Sequence, residues 1–316
     1  MAKDQRADVG SSAGDGVAHL GSARVISDKS TAADAGQPSA FDVVLSYYSY
    51  VKIGSFVTTK ELLLQFANTS TLRNANATWY FYDKRGNSSF DFALDFPHKR
   101  IVAVPLPNVG REGHTYMSHV VRNYDALANH TLFCQENPAW NQIYHRLDVI
   151  FDAARTGFLS LGIEVKCCQC RLLPRRLHCH YFAQHELCAF YQFSKGQPSC
   201  SNDFKYVATA CFVVSRQRIR RHPRAFYERW SELLAAPPDH PLFTTNYSLA
   251  PGIELGPYPA RPDGFTANNP ILGHILERLW ASAIFDCQTV DYSKCWMLAP
   301  RRDDTHWCHR PLHCED

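Results

Sequence analysis

Residues Arg100–Gln135 read RIVAVPLPNVGREGHTYMSHVVRNYDALANHTLFCQ, and this stretch decides the fold. Its opening, Arg100–Leu106, is β-branched and apolar, and Pro107-Asn108 closes it, which predicts a buried strand. From about Gly110 to Leu127 the apolar residues recur at helical spacing. Thr131–Cys134 is apolar again over a strand's length. A strand, a helix and a second strand in so few residues is a crossover unit, and such units build parallel sheets.

Working outward, the same rhythm continues on both sides. Phe41–Tyr50 and Ala77–Tyr82 read as earlier strands, with a short helix at Thr59–Phe66 between them. The turn Asp83-Lys84-Arg85-Gly86 ends the second of these. A helix is expected over Trp140–Ala154, a late strand over Tyr206–Val214, and late helices over Pro223–Leu234 and Ile271–Phe285. The expected fold class is α/β: a Rossmann-like, mostly parallel sheet with helices on both faces.

The rest of the chain frames this body. Residues 1–40 are rich in Ala, Ser, Gly and Asp and read as a disordered leader, because they hold too little apolar surface to offset ordering entropy. They have no apolar segment of the kind a secretory signal needs. The α/β domain is expected over 41–290, interrupted at 165–202 by an irregular insertion rich in Cys and His. Residues 251–270 read as loop, and 291–316 as a tail pinned to the body.

Composition excludes some classes. The formal charge of +3 over 316 residues, with no dominant basic stripe, argues against nucleic acid as a partner. No window of about 18 apolar residues exists to span a bilayer. Twelve cysteines and five N-x-S/T sequons, at Asn68, Asn76, Asn87, Asn129 and Asn246, fit a disulfide-bonded protein of the secretory pathway. The absence of a signal segment fits the cytoplasm equally well. In the insertion, Cys167, Cys168, Cys170, Cys179, Cys188, Cys200, His178, His180 and His185 have zinc-ligand chemistry. Their spacing is not a repeated C-x-x-C, so zinc is not expected.

On the helix after Asn108, Met117, Val120, Val121, Tyr124 and Leu127 share an apolar face, and Arg111, Ser118, Arg122 and Asp125 a solvent face. Between them, Glu112, Tyr116, His119 and Asn123 fall on one polar stripe. That stripe is expected either to line a ligand crevice at the carboxyl end of the sheet or to make buried hydrogen bonds that fix the helix. Asn108 is either its cap or part of an anion site with the free N–H groups there.

The run from Leu106 to Gln135 resembles a family of uncharacterised eukaryotic proteins, best known from fungi, with a pattern near L-P-N-x-G-R-E-x-x-T-Y-L-x-H-I-x-x-N-Y-D-x-L-A. Asn108, Gly110, Arg111, Glu112, Tyr116, His119, Asn123, Tyr124, Asp125, Phe133 and Gln135 carry the match. ATACFVVSRQRIRRHPRAFYERW, from Ala208, and GHILERLWASAIF, from Gly273, extend it over roughly 41–290. The family's layout looks like a glycosyltransferase of the GT-A class. The resemblance therefore implies a nucleotide-sugar donor, a carbohydrate or glycoconjugate acceptor, and a divalent cation, Mn or Mg. Such enzymes hold the cation on a D-x-D turn, because hard cations take oxygen ligands, and they need a positioned base.

This chain has no D-x-D. Glu136-Asn137 stands where the turn would be, so Glu136 is the candidate metal ligand. Glu277 is the candidate base, with Trp280 on its flank as a sugar platform. Asn108, Arg111, Glu112, Tyr116, His119, Asn123 and Gln135 are the candidate substrate-binding residues. Arg216, Arg218, Arg220, Arg221 and Arg224 read either as a solvated face or as diphosphate donors. A non-catalytic carbohydrate-binding or interaction protein on the same fold is the competing expectation.

Overall fold

The computed structural model describes residues 23–28, 40–47, 64, 66–85, 100–135, 144–162, 164–166, 184–196, 205–207, 210–237, 239–244, 247–255, 267–268, 270–289 and 312–316. In chain order these form β1 (Arg24–Asp28), β2 (Phe41–Tyr47), α1 (Ser70–Asn74), β3 (Ala77–Asp83), β4 (Arg100–Pro105), α2 (Arg111–Asn123), β5 (His130–Gln135) and α3 (His145–Val149). Then follow β6 (Thr156–Ser160), β7 (Glu164–Lys166), α4 (Gln184–Lys195), β8 (Lys205–Val207), β9 (Phe212–Ser215), α5 (Arg216–Ile219) and α6 (Arg224–Leu234). The last are α7 (Pro241–Thr244), β10 (Tyr247–Ala250), β11 (Ile253–Leu255), α8 (Ile271–Leu279), which runs into a π-helical turn at Trp280–Ile284, and β12 (His313–Glu315).

The main sheet has eight strands in the order β1-β4-β3-β2-β5-β9-β6-β12. Its centre is parallel: β3 pairs with β2 and β4, and β2 with β5. The flanks are antiparallel, through β1 on β4, β9 on β5 and β6, and β12 on β6. The sheet is therefore mixed around a parallel core, with helices on both faces. Central strands covered on both sides need apolar residues at nearly every position. β2 obeys this: Phe41, Val43 and Leu45 enter one buried cluster and Val44 the other. The first cluster packs against the α1 and α3 side. The second packs against α2, α4, α6 and α8.

Several expectations change. Arg24–Asp28, inside the expected leader, is an edge strand, because β-branched Val25 and Ile26 extend it along β4. The expected strand Tyr206–Val214 is two, β8 and β9, broken where Ala210 turns to φ 45°. Part of the expected insertion is the helix α4. Its Leu187, Phe190 and Tyr191 are buried, with Phe190 against Trp230, so the segment belongs to the core. β11 lies in the stretch read as loop and forms a hairpin with β10. The helix expected over Trp140–Ala154 is described only at His145–Val149. Ser118, assigned to a solvent face of α2, is buried, because α6 and α8 cover the side of α2 that the sheet leaves open. The helix expected at Thr59–Phe66 lies largely outside the described residues.

Disulfides reinforce the antiparallel side. Cys134 of β5 bonds to Cys211, next to β9, and Cys287 bonds to Cys314 of β12. The tail is thus pinned both by strand pairing and covalently. Arg218 adds a third tie, donating from Nη1 to Phe285 O at 2.6 Å and from Nη2 to Glu315 O at 2.7 Å. No helix among the described residues is long and apolar enough to cross a membrane.

Candidate functional site

The chain runs from β2 to β3 to β4 in one direction and then returns to lay β5 on the other side of β2. β2 and β5 are therefore the switch point of the strand order, and it is in the crevice outside the carboxyl ends of such strands that open α/β sheets bind ligands. Ser46 and Gln135 are register partners at that end. Ser46 Oγ lies 3.0 Å from Thr115 Oγ1 on α2, so the helix is tied down beside the crevice. Gln135 is half-buried there and shares the α2 face with Phe133 by strand alternation.

The entry to α2 is built with unusual care. Gly110 is its N-cap at φ 64°, and Arg111 follows at φ 53°, in the left-handed region that a non-glycine residue enters at a cost. A Cβ on Gly110 would lie 2.9 Å from Leu234 O, so only glycine lets the turn approach α6. Asn108, the expected cap, makes no capping bond, because the left-handed turn places Gly110 at that position. Lys84, just past the end of β3, reaches across and donates from Nζ to Val109 O at 2.6 Å and also to Arg111 O. Burial pushes the Lys84 ammonium down to about 7, against the pull of nearby Glu112 and with some push from Arg111.

This turn throws the Arg111 side chain over α8. The aliphatic stem rests on Gly273, where a Cβ would stand 3.0 Å from Arg111 Cδ. Its Nη1 is 2.7 Å from His274 Nδ1 and 3.9 Å from Glu277 Oε2, and its Nε is 3.5 Å from Glu112 Oε2. Glu277 also faces Arg278 at 3.9 Å. Glu277, distant in sequence, thus meets the neighbours Arg111 and Glu112 at one point, with His274 beside them.

The rest of the stripe on α2 does not join them. Tyr116 is buried, donates to Ala210 O at 3.0 Å, and packs on Phe133, Phe212 and Trp280. Burial raises its hydroxyl far above the usual phenol range, and the charges of Glu112 and Glu277 add to this. His119 is wholly buried, its Nδ1 3.0 Å from Tyr82 Oη and its Nε2 3.6 Å from Asp42 Oδ2. Asn123 Nδ2 donates to His119 O at 2.9 Å. Seven residues of helix, about 10 Å of rise, separate Glu112 from His119. His119 and Asn123 thus bond within the fold, away from the Arg111 cluster. Trp280 is likewise core: it is 2% exposed, and its ring stacks on Phe285, so no face is offered to a sugar.

Glu136, with Asn137, lies outside the described residues. Among the described residues, no three His, Cys, Asp or Glu side chains are grouped to hold a metal. The carboxylates that do meet, Glu112 and Glu277, share the Arg111 guanidinium, and Glu277 also faces Arg278. That donor set does not fit a divalent cation, Mn or Mg. The described cysteines of the body, Cys134, Cys188, Cys211, Cys287 and Cys314, are all in disulfides. The other cysteines of the expected insertion lie outside the described residues. In the arginine run three guanidinium groups hold backbone, Arg216 at Leu127 O, Arg218 at the carbonyls above, and Arg220 at Tyr124 O and Asp125 O, while Arg221 faces Asp316 and Arg224 faces Glu228.

Sequence reasoning missed Lys84, His274 and Gly273. A lysine directly after a buried parallel strand is the signal for the first. For the other two it is one helix face, since His274 precedes Glu277 by three residues. No curated protein sequence matches the chain significantly. A family model does match, over residues 69–297, most of the chain and all of the site just described, and by it the chain belongs to the family described as protein of unknown function (DUF3431).

Proposed function

We propose that this chain is a glycosyltransferase of GT-A type, which passes a sugar from a nucleotide-sugar donor to the hydroxyl of a carbohydrate or glycoconjugate acceptor. The observation that carries the proposal is the meeting of Arg111, Glu112 and Glu277 beside the switch-point crevice. Its support from the fold is the parallel order β4-β3-β2-β5, which matches the nucleotide-binding half of doubly wound sheets.

In this reading the diphosphate approaches the start of α2, where free N–H groups and Arg111 meet its charge. Arg111 turns toward the phosphates and releases Glu277. The Glu277 carboxylate takes the acceptor hydroxyl proton, the oxygen bonds to the anomeric carbon, and the sugar–phosphate bond breaks. The nucleoside diphosphate leaves with its negative charge held by Arg111. No step runs through a metal.

A second reading has its own observation. Arg111 Nη1 stands 3.9 Å from Glu277 Oε2, so an ion pair faces this carboxylate where an acceptor hydroxyl would have to approach. This favours a non-catalytic carbohydrate-binding or interaction protein that keeps the crevice for binding alone.

Thermal shifts with UDP- and GDP-sugars, with and without manganese, test donor binding. The expected result is stabilisation by at least one donor, with little dependence on manganese. A flat response to every donor sinks the transferase and favours the second reading. Glu277→Gln is expected to keep donor stabilisation and lose transfer by about 100-fold or more, as removal of a general base does. Transfer at the unaltered rate removes Glu277 from the chemistry.

A further inference from the structure

We infer that Asn129 is an N-glycan acceptor, and that the Thr131 hydroxyl serves as the third position of its sequon. Asn129 is exposed in the tight connection between α2 and β5. It stands at the amino edge of the sheet, opposite the carboxyl-end crevice, so a glycan there leaves the crevice open. Arg216 Nη2 donates to Asn129 Oδ1 at 2.9 Å, and Arg216 N donates to Asn129 O at 2.9 Å. Both contacts use oxygens. The Nδ2 atom, the one that takes a sugar, is not engaged by them.

The second observation concerns the hydroxyl two residues on. Thr131 is fully buried within β5, and its Oγ1 has no hydrogen-bond partner among the described residues. Its cross-strand neighbours are Asp42 and Val214, and the Asp42 carboxylate accepts from Ala128 N instead. A buried hydroxyl without a partner is costly, and valine would fill the same space without that cost. Among the described residues the fold makes no use of this hydroxyl. The sequon Asn129-His130-Thr131 does, while the chain is still unfolded.

The third observation is the compartment chemistry. Every described cysteine is in a disulfide, which fits the oxidising space in which glycans are added. In the transfer, Asn129 Nδ2 bonds to the anomeric carbon of an oligosaccharide carried on a lipid diphosphate. The lipid diphosphate leaves, and the amide gives up one proton. The donor and the enzyme are the host cell's.

The full chain purified from its own cells should lose one glycan mass at Asn129 on treatment with peptide N-glycosidase, with the asparagine converted to aspartate. Asn129→Gln and Thr131→Val should each lack that step, and Thr131→Ser should keep it. Melting curves of Thr131→Val should stay cooperative. Should that variant fail to fold, Asn129→Gln, which leaves the core untouched, still reads the site. An unmodified Asn129 in the native chain, or a glycan that persists in Thr131→Val, overturns the inference.

Discussion

At the scale of single residues, the candidate site depends on a lysine that no motif announced. Lys84 is buried, and its Nζ is the donor that satisfies two carbonyls at the entry to α2. Its folded pKa of about 7 lies below the unfolded value, so between roughly pH 7 and 10 the unfolded chain binds more protons than the folded one. Stability from this group therefore rises with pH across that window and is lowest below it. Lys84→Met should remove that slope in denaturant titrations at pH 7 and 9. It should also cost about 1–3 kcal/mol, more at pH 9 than at pH 7, because two carbonyls lose their donor. His114 works at the acid end. Burial, with help from Lys84, holds it down to about 3, so it resists protonation when folded. As pH falls from 6.5 toward 3 this group withdraws stability, and His114→Gln should flatten that part of the acid melting profile. Gly273→Ala is the complementary probe: its new Cβ would press on the Arg111 stem. Weaker donor binding with a melting temperature near that of the parent is expected, read by titration calorimetry.

Elements show why part of the site was legible and part was not. Strands β2 to β5 were readable because burial on both faces forces unbroken apolar runs, and such runs have few other uses. Glu277 was readable because helical periodicity puts it at the edge of a core face, whereas periodicity put Arg111 on a solvent face and only the family motif singled it out. Their meeting was not readable, since it depends on Gly110 and Arg111 both turning left-handed, and periodicity carries no information about a turn. The same blindness misassigned His119. A polar stripe looks identical in sequence whether it lines a crevice or, as with His119 and Asp42, a buried network. Trp280 was misjudged for a related reason: the end of α8 winds into a π-helical turn, and α-helical angles no longer apply there. Gly110→Ala tests the turn directly. It adds a clash with Leu234 O and a strained φ, so a loss of about 2 kcal/mol or more is expected in urea melts.

Across the whole molecule, the parallel centre carries the candidate site while the antiparallel flank carries the cross-links. The Cys287–Cys314 bridge closes a separation of 27 residues. Loop-closure entropy for that length corresponds to about 3 kcal/mol. Cys287→Ser should therefore lower the melting temperature by roughly 5–10 °C, given the few degrees per kcal/mol typical of chains this size. Calorimetry in the presence and absence of reductant checks it: the variant should be the less sensitive of the two to reductant.

The strand that this bridge anchors also has a protective consequence. β12 covers the outer rim of β6, whose sequence Thr156-Gly157-Phe158-Leu159-Ser160 carries no charge and no proline. Stripped of Leu312–Asp316, that rim would offer a row of open amide and carbonyl groups to any neighbouring chain, the usual seed for strand-to-strand polymerisation. Five residues at one extremity thus act as a bung against self-association, and any fusion placed after Asp316 must leave them seated.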